Sequence, residues 1–123
     1  MSPQHLESGQ QAEQLALDRL LAAGLALHTR NYRCPQGELD LVMLDAAGGV
    51  VIVEVRYRRG STHGSAAETV AAAKQRKLTL ATQHFLRQHA ELRRRPLRFD
   101  VVAVGGSEGP AALEWIQDAF QPG

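Results

Sequence analysis

Two acids, with a cation two residues beyond the second, mark the part of this 123-residue chain most able to do chemistry. Asp40 lies in Gly37-Glu-Leu-Asp-Leu-Val-Met-Leu44, an alternating run that puts Leu39, Leu41 and Met43 on one face of a strand and Glu38, Asp40 and Val42 on the other. Glu54 and Arg56 lie in Val50-Val-Ile-Val-Glu-Val-Arg-Tyr57, whose apolar start reads as a central strand covered on both faces. A carboxylate in such a strand is costly unless a cation or a set of donors meets it. Two readings are open. Glu54 can pair with Arg56 or Arg58 while Glu38 and Asp40 form a solvated edge. Alternatively, Asp40, Glu54 and Arg56 share one side of the sheet, and the two acids hold Mg²⁺ or Mn²⁺, hard ions that take one or two carboxylates plus water and phosphate oxygens.

The elements that position these groups follow from local signals. Ser8-Gly-Gln-Gln11 resembles a capping box, and helical periodicity runs to Ala23, with Gly24 as the stop. The apolar stripe Ala16, Leu17, Leu20, Leu21 steps back to Glu13, which faces inward or rims the core; an acid favoured by the helix dipole is the other reading. Leu25 to Arg33 reads as a strand with Leu25 and Leu27 on one face, Pro35-Gln36-Gly37 as a turn, and Ala46-Ala-Gly-Gly49 as a hairpin closure. Such short turns join antiparallel neighbours, so three strands form a meander. After the loop Arg58 to Gly64, a second capping box, Ser65-Ala-Ala-Glu68, starts a helix reaching about His89. Its stripe Val70, Ala73, Leu78, Ala81, Phe85 passes through Lys74 and aims that lysine at the sheet. Arg93-Arg-Arg-Pro96 ends the helix, Leu97 to Val104 is another β run, and a Gly105 to Pro110 turn precedes a short edge strand, Leu113 to Ile116. The tail from Gln117 is expected to be loosely held.

Length bounds the chain to a single domain, 1–123, with a core from about 9 to 104. No run approaches the length needed to span a bilayer and the N-terminus lacks signal-peptide character, so a soluble cytoplasmic protein without membrane contact is expected. The one cysteine, Cys34, allows no internal disulfide, and the five histidines fall into no recognised zinc spacing. Net charge is +1, but residues 56–98 carry eleven basic and two acidic side chains, while both flanks are acidic. That block is the footprint of a polyanion-binding face, with a solvated helix face as the other reading. With 5% aromatic residues, single-strand reading by base stacking is not favoured.

Four segments in order, Gly37-Glu-Leu-Asp-Leu, Val53-Glu-Val-Arg-Tyr-Arg, Lys74-Gln-Arg-Lys-Leu and Arg98-Phe-Asp-Val-Val-Ala-Val, resemble the small bacterial YraN family within the PD-(D/E)XK nuclease superfamily, itself similar to archaeal Holliday-junction resolvases. The resemblance spans roughly Glu13 to Val104. It implies an α/β fold, a restriction-endonuclease-like αβββαβ core with a central mixed sheet flanked by helices. It also implies a metal-dependent endonuclease hydrolysing phosphodiester bonds of DNA, including branched or structured DNA, with a homodimer as in the resolvases. The metal ligands would be Glu13, Asp40, Glu54 and the Val55 carbonyl, holding Mg²⁺ or Mn²⁺. Arg56 occupies the superfamily's lysine position and Lys74 can supply the missing lysine. Arg56, Arg58, Arg59, Lys74, Lys77, Arg93, Arg94 and Arg95 would bind nucleic acid. Because guanidinium is not deprotonated in proteins, Arg56 cannot act as a base. The alternative is a non-catalytic nucleic-acid-binding module that keeps the fold.

Overall fold

The computed structural model describes residues 9–58, 70–105 and 112–121. Helix α1 (Gly9–Ala22) leads into strands β1 (Ala26–Cys34), β2 (Gly37–Leu44) and β3 (Val50–Arg58). Helix α2 (Ala72–Gln88), a 3₁₀ turn (Ala90–Leu92), β4 (Leu97–Gly105) and β5 (Leu113–Phe120) complete the order. The sheet runs β1-β2-β3-β4-β5, antiparallel except where β3 and β4 lie parallel in register from Val50↔Leu97 to Arg58↔Gly105. The crossover carrying α2 is what permits that parallel pair. The α/β class, the αβββαβ order and the mixed sheet are therefore those expected from the sequence.

Each helix covers one face of the sheet. On one side Ala12, Ala16, Leu17 and Leu20 of α1 pack on Leu41, Met43, Val51, Val53, Val102 and Val104. On the other, Leu78, Ala81 and Phe85 of α2 pack on Leu39, Val42, Val50, Ile52, Phe99 and Val101. The near-continuous apolar runs of β3 and β4 are explained by this double cover. Gly24, at φ +98, closes α1 as the sequence implies. The Leu25 amide donates to the Leu20 carbonyl at 3.1 Å and the Gly24 amide to Leu21 at 3.0 Å, the paired bonds of a left-handed helix stop.

Several local expectations are corrected. Leu21 is exposed, and Ala12 takes the buried place on α1. Helix α2 begins at Ala72, and its stripe follows Lys74, Leu78, Ala81, Thr82 and Phe85, leaving Ala73 exposed. Ser8, the capping box at residues 65–68 and most of the turn at 105–110 lie outside the described residues. In β2, Leu39 joins the α2-side core while Leu41 and Met43 join the α1 side, so one alternation does not run through the strand. The last strand is longer than expected, running through Gln117 to Phe120. Its end is held because Phe120 stacks on Phe99 with centroids 5.0 Å apart, and the Asp118 amide donates to the buried Asp100 carboxylate at 2.9 Å. That carboxylate also accepts from Trp115 Nε1 at 2.9 Å and, at both oxygens, from Arg98.

Candidate active site

The pairing of β2 with β3 runs from Leu44↔Val50 to Leu41↔Val53 and stops there. Just past the last pair, the Asp40 carboxylate accepts the Val55 amide at 2.8 Å, so a side chain replaces the next rung of the ladder and the strands part. By alternation Glu54 and Arg56 follow Val50 and Ile52 onto the α2 face, whereas Asp40 opens on the α1 side with Val55 and Tyr57. The expectation that Asp40, Glu54 and Arg56 share one side is corrected accordingly. The two carboxyls adjoin in the gap, close enough for the Asp40 charge to act on Glu54.

The electrostatics follow from that placement. Glu54 is 5% exposed, and burial first, then the neighbouring Asp40 charge, push its carboxyl up to about 7. Asp40 is also raised by burial, an effect opposed by the Val55 amide. Two cations moderate Glu54. Lys74 Nζ stands 3.7 Å and the Arg56 guanidinium 3.8 Å from its Oε2. Glu54 thus has the Arg56 countercharge that one reading of the sequence allowed, and Lys74 as a second, even though its carboxyl still favours holding a proton.

Glu13 does face inward from α1, as its stripe position implies, but it is already engaged. Arg30 Nε donates to its Oε1 at 2.6 Å and Asn31 Nδ2 to the same oxygen at 3.1 Å. Arg30 and Asn31 were absent from the candidates read in the sequence. The available signal was an asparagine inside an expected strand, where Asn is a poor fit. Asn31 has φ +56 and lies between the paired positions Arg30↔Leu41 and Tyr32↔Leu39, level with Asp40.

Glu13, Asn31, Asp40, Val55 and Tyr57 line one cavity of about 250 Å³ on the α1 side, with Arg33 and Glu38 at its rim. Among the described residues no three His, Cys, Asp or Glu side chains stand close enough together to enclose a metal ion. The donor set suits a hard divalent cation in part. Asp40 and Glu54 are adjoining carboxyls whose mutual repulsion a cation would relieve, whereas Glu13 is turned to Arg30.

The basic candidates do not form one cluster. Lys74 and Arg56 flank the carboxyl pair, and Lys77 is exposed on α2, packed at its Cβ near Gly37. Arg93, Arg94 and Arg95 lie at the other end of the sheet, where Arg95 donates to the Gly48 carbonyl of the β2–β3 turn at 3.1 Å. Glu54 lies six positions beyond Gly48 along this arm, roughly 20 Å. Arg93 caps α2 by donating to the Leu86 and Arg87 carbonyls. Arg59 and the side chain of Arg58 lie outside the described residues.

The model of the Uncharacterised protein family UPF0102 matches residues 12–104. A UPF0102 protein of Nitrosococcus oceani is 44% identical over 95% of this chain and 94% of its own length. One from Stutzerimonas stutzeri is 50% identical over 93% and 94%. Among solved structures, a repair endonuclease from Pyrococcus abyssi is similar with a TM-score of 0.42 and 19% identity, covering 89% of this chain and 43% of that one. An EndoMS–dsDNA complex is similar with a TM-score of 0.44 and 14% identity, covering 88% and 43%. This chain spans less than half the length of either structure. Among the described residues no helix is long and apolar enough to cross a membrane.

Proposed function

For this chain, which belongs to the UPF0102 family, we propose a metal-dependent nuclease acting on DNA, with the Asp40–Glu54 pair at its centre. The observation that carries the reading is the parting of β2 from β3 where the buried Glu54 carboxyl adjoins the half-buried Asp40, with Arg56 and Lys74 beside Glu54. A purely structural ion pair gains nothing from a second acid pressed against the first. A site for a hard cation does, because two adjoining carboxylates are what such an ion neutralises.

Asp40 and Glu54 would hold Mg²⁺ or Mn²⁺, and the bound ion would supply the acidity that ionises a water and charge to offset the reacting phosphate. Arg56 donates to phosphate oxygens and cannot take a proton at any pH where the chain is folded. Lys74, equally near Glu54, adds a second point charge. The Val55 amide keeps the Asp40 carboxylate aimed into the gap. The exposed basic side chains on and after α2 extend the positive face toward Arg93–Arg95, a length suited to duplex DNA held by its phosphates.

The non-catalytic reading is favoured by Arg56, which removes one candidate base. Cleavage and binding of linear, flapped and four-way DNA, with and without Mg²⁺ or Mn²⁺, separate the two. Metal-dependent cleavage that Asp40→Asn abolishes supports the nuclease. Salt-sensitive binding with no cleavage of any substrate in either metal supports the binding module.

A further inference from the structure

We propose that Arg30 and Asn31 are positioning residues for Glu13, and that Arg30 is the site's resident countercharge, which a divalent cation displaces to recruit Glu13. The inference rests on the metal-dependent reading above. Two donors from consecutive residues of β1 address a single oxygen of Glu13: Arg30 Nε at 2.6 Å and Asn31 Nδ2 at 3.1 Å. Arg30 also donates to Gln14 Oε1 at 3.0 Å, so its guanidinium spans two neighbouring side chains of α1 and is fixed in orientation. Asn31 adopts φ +56, a conformation that residues other than glycine seldom take and that asparagine tolerates better than most. Strain of this kind persists where the surroundings over-determine it, and here the side chain it delivers is a donor to Glu13.

The same carboxylate lines the cavity that Asp40 lines, and its charge acts on Asp40. Glu13 therefore lies within reach of the acid pair, yet it is turned to an arginine. The Arg30 side chain is 33% exposed against 12% for Glu13. A pair open to water on the arginine side is an exchangeable partner rather than a sealed one. A cation entering between Asp40 and Glu13 offers more charge than one guanidinium. A second ion pair on the same rim, Arg33 with Glu38 at 3.7 Å, serves as a control, because its side chains are 78% and 41% exposed and the donors to Glu13 are Arg30 and Asn31.

The test is calorimetric titration of the DNA-free full chain with MnCl₂ at low ionic strength. Arg30→Gln keeps a polar side chain and removes the charge, and it is expected to bind Mn²⁺ about tenfold more tightly than wild type, as loss of a close competing charge implies. Arg30→Lys and Arg33→Gln are expected within about twofold of wild type, the first because the charge remains, the second because it lies outside the pair. Adding Glu13→Gln to Arg30→Gln should erase the gain, since Glu13 is the group released. Thermal melting followed by Trp115 fluorescence checks that each variant is folded, and Arg30→Lys carries the test if Arg30→Gln is not. In that case affinity falling or rising more than about fivefold in Arg30→Lys overturns the proposal. If wild type binds Mn²⁺ and Arg30→Gln binds no better, or if the gain survives without Glu13, the countercharge role is wrong while the metal site stands. If neither protein binds Mn²⁺, the metal-dependent reading fails as well.

Discussion

Glu54 ties stability to the proposed function at the level of a single residue. Its carboxyl is pushed up to about 7 from an ordinary value of 4.5, so between those pH values the folded chain keeps a proton that the unfolded chain has lost. Stability must then fall as pH rises through that window and stay lower above it. Without metal, Glu54→Gln is expected to match wild type near pH 4 and to exceed it at pH 8 by on the order of 3 kcal/mol, read by urea denaturation in chelator. A Gln variant less stable than wild type at pH 8 would point to a structural salt bridge with Lys74 and Arg56 instead. Those two cations carry a second expectation. Because each stands within 4 Å of Glu54, Arg56→Ala and Lys74→Ala should each slow DNA cleavage by about 10²-fold, with the double variant losing less than the product, and Arg56→Lys should retain part of the rate. Full activity in Arg56→Ala would place the chemistry elsewhere.

Among the elements, the strand that closes the sheet depends on one buried acid. Asp100 is fully buried, and it accepts from Arg98, from Trp115 Nε1 and from the Asp118 amide, so it ties β4 to two points along β5. Asp100→Asn turns one acceptor into a donor facing these donors and leaves the Arg98 charge without its partner. A loss of about 3 kcal/mol is expected, with a red shift of Trp115 emission and faster proteolysis within 113–121. Unchanged Trp115 emission would mean that Phe120 on Phe99 holds the strand alone. The β2–β3 pair shows the complementary device. There a carboxylate interrupts the ladder instead of sealing it, and the gap between two strands becomes the proposed site.

For the molecule as a whole, the charge asymmetry of the sequence is distributed along α2 and its exit, with the carboxyl pair at one end and Arg93 to Arg95 roughly 20 Å away. Binding to duplex DNA should weaken with salt at a slope near −0.9 per phosphate contact. Two of the three arginines already serve the fold, Arg93 capping α2 and Arg95 holding the β2–β3 turn. Neutralising all three is therefore expected to lower the slope by about one contact and to reduce thermal stability. Neutralising Lys74, Arg76 and Lys77 should remove closer to three contacts. Equal changes in slope for the two sets would show that capping and DNA contact are not in competition.

How much of this was legible beforehand depends on the range of the signal. Helix α1 with its inward Glu13 and its Gly24 stop, the antiparallel meander, and an acid stranded in the apolar run of β3 are written in periodicity and turn chemistry, which neighbouring residues determine among themselves. The resemblance of four segments supplied the mixed sheet. What the sequence left open are contacts between distant positions. Arg30 meets Glu13 across seventeen residues and Asp100 meets Trp115 across fifteen. The left-handed turn at Asn31, the change of face within β2 and the separation of Asp40 from Glu54 onto opposite sides of the sheet belong with them. Each depends on where one strand's register places a side chain against another element. Only the closed sheet, with a helix packed on either face, decides that.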